Sequence, residues 1–289
     1  MKKCWYVCLV VCLGLGLEAP LLAQQQQEPG PPPVLQIWRE EVKPGQAAAH
    51  ARTESGWPRA FAKANWPVHY IAMTSVTGLT EAWYLTGYPN LAAYEADRNN
   101  SNKNAALTAE LNRLSTADAA HINSVRSILT AYRPEMSYRT GGNIATMRYF
   151  QVTTYRVRPG YENEFTEAWR AVVAAHERAN MQERWAFFQV MSGAPAGTFL
   201  YFSAMKSLAE QDALGPMHTA PAYRDAQGDE GRRQMRDLMR SGVITSDTQI
   251  FAFDPRMSYV SKEMAAADPD FWTPKPPAPR PAAKPATQD

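Results

Sequence analysis

Val34-Leu-Gln-Ile-Trp-Arg-Glu-Glu-Val-Lys-Pro-Gly45 and Tyr149-Phe-Gln-Val-Thr-Thr-Tyr-Arg-Val-Arg-Pro-Gly160 are one segment written twice. Position 149 lies 115 residues after position 34. At that offset Gln36/Gln151, Val42/Val157, Pro44/Pro159 and Gly45/Gly160 are identical, and Leu35/Phe150, Ile37/Val152 and Lys43/Arg158 are conservative. A second pair matches further on: Tyr132-Arg-Pro-Glu-Met-Ser-Tyr138 and Phe253-Asp-Pro-Arg-Met-Ser-Tyr259, as far apart as 132 is from 253. Two matched ends with a slightly drifting offset mean a duplicated unit with a few inserted residues.

Each copy reads in the same order. An alternating strand ends at Pro-Gly. An amphipathic helix follows, with Phe165, Trp169, Val172 and His176 on one face of the second copy. A second strand (68–75 or 184–192) leads through a glycine turn (Gly78; Gly193 and Gly197) to a third (81–86 or 198–204). A second helical region starts near Asn90 or Ser207, and a fourth strand closes each copy at 126–132 and 248–253. This is the βαββαβ order of a ferredoxin-like α+β unit. Helices cover one face of such a sheet and leave the other apolar. Two tandem units, 34–138 and 149–259, are expected to pack sheet to sheet and bury that face.

The flanks differ in character. Lys2 and Lys3 precede an apolar run and the small residues before Gln24, the layout of a signal peptide over 1–23. The run is short for a membrane span, so export is expected, with membrane contact only through the leader before cleavage. An uncleaved anchor and a lipoprotein through Cys12 are the rival readings. A Gln/Pro spacer occupies 24–33, and a disordered Pro/Ala/Lys tail is expected over 265–289. Cys4, Cys8 and Cys12 all lie in the leader, so the remainder has no disulfide, thiolate metal site or cysteine nucleophile. The 289 residues carry a formal net charge of +2 with both signs interspersed. A nucleic-acid partner is not expected, because neutralising phosphates needs a concentrated basic face.

With its strand-Pro-Gly-helix opening and the layout of both copies, the region 34–259 resembles the dimeric α/β-barrel superfamily. The likeness is to its NIPSNAP-like and antibiotic-biosynthesis-monooxygenase-like members in particular. That resemblance implies two ferredoxin-like units forming one intramolecular barrel. It also implies activities among cofactor-independent oxygenases, isomerases and haem-binding enzymes. The haem-degrading members use an Asn, a Trp and a His in one cavity, and the three do not fall together on matching positions here.

No HExxH, P-loop, GxGxxG or GxSxG motif is present. The expected chemistry therefore rests on asymmetry between the copies. On the first helix, His50 and Glu54 stand where the second copy has Phe165 and Trp169. Spaced i, i+4, they lie side by side. They read either as a general base with an orienting carboxylate or as a surface pair on a helix turned at Gly56-Trp57-Pro58. Trp38, His69 and Trp83 are the expected ligand-binding residues, within a first copy rich in Trp and Tyr. His218 is a candidate haem ligand or a loop residue. Glu40 and Glu41 are adjacent on a strand and point to opposite faces, so they form no dyad with each other. No metal site is read. The expected function is binding of a small, largely apolar molecule, with an oxygenase- or isomerase-type activity implied by the resemblance. A haem-binding protein and a non-catalytic interaction module are the alternatives. No cofactor and no oligomeric state is legible.

Overall fold

The computed structural model describes residues 30–212 and 219–273. The leader at 1–23, most of the 24–33 spacer, His218 and the end of the tail lie outside the described residues. Among the described residues, no helix is long and apolar enough to cross a membrane.

Eight antiparallel strands close into one barrel. The first copy supplies β1 (Val34–Val42), β2 (Tyr70–Ser75), β3 (Glu81–Tyr88) and β4 (Ile122–Tyr132). The second supplies β5 (Tyr149–Val157), β6 (Ala186–Ser192), β7 (Thr198–Met205) and β8 (Val243–Phe253). Going round the barrel the order is β1-β3-β2-β8-β5-β7-β6-β4. Each copy is thus a four-stranded sheet with the ferredoxin-like strand order. The two sheets face each other and also join edge to edge. One seam pairs β2 with β8, from Met73 opposite Phe253 to Ser75 opposite Phe251. The other pairs β4 with β6 and ends at Tyr132 opposite Phe188. Closure leaves no free strand edge. Side chains alternate across each strand, so Ile37, Met73, Trp83, Leu200 and Phe251 fill the barrel core.

The helices lie outside the barrel. In the first copy these are α1 (Ala47–Glu54), α2 (Gly56–Lys63), α3 (Leu91–Lys103) and α4 (Ala105–Asp118). In the second they are α5 (Glu162–Arg178) and α6 (Pro221–Ser241). The duplication extends to irregularities. The β1–β4 register shifts between Glu41 and Val42, and the β5–β8 register shifts at the matched residues Arg156 and Val157. Asn65 and Asn180, also matched, both take φ of 49° just after a helix. Asn tolerates that left-handed conformation better than most residues, and it ends both helices in the same way.

The matched C-terminal segments exchange partners. Met136-Ser137-Tyr138 of copy one docks on copy two. The Tyr138 hydroxyl donates to the Met181 carbonyl (3.0 Å), and Ser137 Oγ accepts from the Phe187 amide (2.9 Å). Met257-Ser258-Tyr259 of copy two does the same to copy one. Tyr259 donates to the Trp66 carbonyl (2.8 Å), and Ser258 Oγ accepts from the Ala72 amide (2.8 Å). Met136 and Met257 are fully buried.

Residues 265–273 are structured, contrary to the disordered tail expected over 265–289. Helices α7 (Lys262–Ala267) and α8 (Pro269–Trp272) continue the chain. Trp272 is buried in the core cluster and its indole donates to the Ala145 carbonyl (2.7 Å). Asp268 pairs with Arg148, whose guanidinium lies 4.0 Å from the Phe271 ring centroid. Composition concealed this, because Phe271 and Trp272 are two apolar anchors at the edge of a Pro/Ala-rich stretch.

Candidate functional site

The expected interruption at Gly56-Trp57-Pro58 is real. Ser55 separates α1 from α2, and Pro58 sits in the first turn of α2, where its missing N–H is not needed. A Cβ on Gly56 would come within 2.4 Å of Leu114 on α4, so glycine lets the two helices approach closely. That approach brings the end of α4 over α1.

Four ionisable side chains meet there, between the helices and the outer face of β1. They are Glu40 from β1, His50 and Glu54 from α1, and Asp118, the last residue of α4. All are buried, at 6%, 2%, 3% and 2% exposure respectively. His50 Nδ1 lies 2.9 Å from Asp118 Oδ1. On the other side of the ring, Nε2 is 3.6 Å from Glu40 Oε2 and 3.5 Å from the Tyr84 hydroxyl. The Trp38 indole donates to Glu40 Oε1 (2.9 Å). Each of the four residues presents one potential ligand atom, and those atoms lie within 4.8 Å of one another. The orienting carboxylate of His50 is therefore Asp118. Glu54 joins the same cluster.

The cluster is short of positive charge. Among the described residues no Lys or Arg forms an ion pair with Glu40, Glu54 or Asp118. Glu40 Oε2 and Asp118 Oδ2 are buried with no hydrogen-bond partner. Burial, reinforced by the charge of nearby Glu40, pushes the Glu54 carboxyl up to about 9. Glu40 is also raised, chiefly by burial. The Tyr84 and Tyr70 hydroxyls are raised well above the ordinary phenol range, first by burial and then by Glu54 and Glu40.

Copy two shows what the same scaffold holds when it is apolar. At the constant offset, Glu40, His50 and Glu54 correspond to Tyr155, Phe165 and Trp169. Those three rings touch one another, with centroids 5.3, 5.9 and 6.4 Å apart. An aromatic triad in one copy is a Glu-His-Glu triad in the other. The Glu40/Tyr155 exchange was legible at the repeat offset. Asp118 was not, since nothing in its local sequence marks it.

The three expected ligand-binding residues separate. Trp38 is 40% exposed and lines a groove of about 280 Å³ with Phe61, Trp66, Tyr70 and Asp97, beside the cluster. Trp83 faces the opposite way, into the barrel. There it packs on Phe251 (4.7 Å) and under the Arg39 guanidinium (4.1 Å). His69 lies at one end of the barrel, stacked on Tyr259 (4.7 Å). His176, on the equivalent helix of copy two, is a core residue whose Nδ1 bonds the Val172 carbonyl (2.8 Å).

His69 borders a cavity of about 610 Å³. Its wall is mostly apolar, with Leu35, Ile71, Leu85, Phe150, Phe188 and Phe202 from six strands, together with Met147 and Met264. Arg139 and Arg184 line it together with His69. Glu40, His50, Glu54 and Asp118 line none of the cavities described here.

No protein-family profile matches the sequence, and no curated protein matches it. Solved structures do match. A candidate monooxygenase from Fusobacterium nucleatum superposes with a TM-score of 0.51 at 12% identity, over 77% of this chain and 93% of that one. An anthrone oxidase-like protein gives 0.50 at 12% identity, over 79% and 94%. The fold is a dimeric α/β barrel, here built from both halves of a single chain.

Proposed function

We propose that this chain, a dimeric α/β barrel made by tandem duplication, binds a small, largely apolar molecule in the cavity at one end of the barrel. The carrying observation is the cavity of about 610 Å³ with its wall of Leu, Ile, Met and Phe side chains. Its size and lining are those of a small-molecule site. His69, Arg139 and Arg184 give the ligand one polar or acidic end.

An oxygenase- or isomerase-type reaction is the enzymatic extension of this reading; only its oxidative form is in keeping with the names of the two structural neighbours, a candidate monooxygenase and an anthrone oxidase-like protein. Export is a further part of it and rests on the leader layout at 1–23. Secretion would be read from a mature chain beginning near Gln24.

Titration with anilinonaphthalene sulfonate, an apolar body with one acidic group, is the direct test. Saturable fluorescence enhancement by the natively folded chain, weakened by Arg184→Ala, is expected. Absence of saturable binding, with the fold intact by circular dichroism, would overturn the reading. A haem ligand is the second reading, favoured by His69 and two arginines lining the same cavity. Adding haemin distinguishes it: a Soret shift that His69→Ala removes would establish haem as the occupant.

A further inference from the structure

The triad exchange between the copies has a chemical sense that burial alone does not give. Three carboxylates and one imidazole occupy a helix–sheet interface that the sister copy fills with three aromatic rings. Charges taken out of water cost several kcal/mol each unless they are paired. Here no Lys or Arg pairs with these carboxylates among the described residues. Glu40, with a side chain 8% exposed, aims Oε2 at the cluster with no hydrogen-bond donor on it. Buried polar atoms in native proteins are nearly always satisfied, and an orphan calls for a partner.

We propose that Glu40, Glu54 and His50 Nε2 bind one divalent transition-metal ion, with Asp118 positioning the imidazole. The tautomer follows from the geometry. His50 Nδ1 donates to Asp118 (2.9 Å), which leaves the Nε2 lone pair facing Glu40. A carboxylate behind a ligating histidine is the common arrangement of such sites. The Nε2 to Oε2 separation of 3.6 Å suits an ion between them. With bonds of about 2.1 Å, it corresponds to a ligand–metal–ligand angle of roughly 120°. Two carboxylates and one imidazole select a borderline ion of the Mn²⁺, Fe²⁺, Co²⁺ and Zn²⁺ group over Mg²⁺ or Ca²⁺. The ligands come from β1 and α1, and the positioning residue from α4. The ion therefore clamps the helical layer of copy one onto its sheet. Copy two achieves the same with Tyr155, Phe165 and Trp169.

The test uses the full chain, stripped with chelator and titrated with Mn²⁺, Co²⁺ and Zn²⁺, with Mg²⁺ as control. One equivalent of ion is expected to bind with release of protons. At 100-fold excess over the dissociation constant it should raise the melting temperature by about 5–10 °C. Visible bands of the Co²⁺ form should report imidazole coordination. Asp118→Asn is expected to weaken binding about 10- to 100-fold while keeping the Co²⁺ spectrum. The triple variant Glu40→Tyr, His50→Phe, Glu54→Trp installs the copy-two set. It should fold and lose all response to metal. If wild-type chain binds none of the three ions more tightly than about 1 mM, or if the triple variant keeps the response, the proposal is overturned. The cluster is then neutralised by protons alone.

Discussion

His50 Nδ1 lies 2.9 Å from Asp118 Oδ1, and both side chains are buried although 68 residues separate them in the chain. The contact joins the first helix of copy one to the last turn of its second helical layer. Removing one partner leaves the other buried without its hydrogen bond. Asp118→Ala is expected to cost about 3–5 kcal/mol, the range for breaking a buried pair, and Asp118→Asn distinctly less. Urea denaturation of the chelator-treated chain measures both. A loss under about 0.5 kcal/mol for Asp118→Ala would mean that water already serves this pair.

The cluster also sets a pH dependence for the metal-free chain. The Glu54 carboxyl stands at about 9 in the folded state, above its ordinary value near 4.5. Between those values the native state holds a proton that the unfolded state has lost. Stability is therefore highest below about pH 4.5 as far as Glu54 is concerned, and falls as pH rises to about 9. Glu40 acts in the same direction. Glu54→Gln should flatten the decline between about pH 5 and about pH 9, measured by urea midpoints. An equal slope in the variant would assign the decline to other groups.

Trp272 anchors the C-terminal helices to the barrel. Truncation after Ala267 removes its buried ring and its bond to the Ala145 carbonyl. Trp272→Ala is expected to cost about 3–5 kcal/mol, seen as a clear drop in melting temperature. A melting temperature within a degree or so of wild type would show that the ring contributes little to holding the barrel together.

The exchanged Met-Ser-Tyr segments make the halves interdependent. A fragment spanning 149–259 lacks the β2 and β4 seams and the Trp66 carbonyl that receives Tyr259. It is expected to aggregate or to dimerise. Mixing it with 34–138 should restore a monomer-sized complex on gel filtration. A stable, monodisperse monomer of the isolated fragment would contradict the exchange.

The architecture was legible because duplication is a long-range signal written in local residues. Pro44-Gly45 and Pro159-Gly160 mark the same turn twice, and the strand order follows from the unit. The cluster was legible in half. His50 and Glu54 stood out against Phe165 and Trp169 at one offset. Glu40 was weighed only against its neighbour Glu41, whereas its partners lie across the helix–sheet interface. Asp118 entered through the close approach of α2 and α4 at Gly56, which depends on tertiary packing. Trp83 shows the limit of pattern reasoning on strands. Trp38 pairs with Tyr84, and Arg39 with Trp83. The register therefore puts Trp38 outside and Trp83 inside, and a one-residue slip would reverse both.

Ala204 lies on the cavity wall beside Phe202 and supplies the most direct measurement of ligand binding. Ala204→Trp would fill part of the space while adding no charge, leaving Glu40, His50, Glu54 and Asp118 in place. Anilinonaphthalene sulfonate titration of wild type and variant, with circular dichroism as the check on folding, compares them. If the cavity is the binding site, the folded variant should lose affinity at least about tenfold, equivalent to about 1.4 kcal/mol. Unchanged affinity in a folded Ala204→Trp chain would place the bound molecule elsewhere and contradict the proposed site.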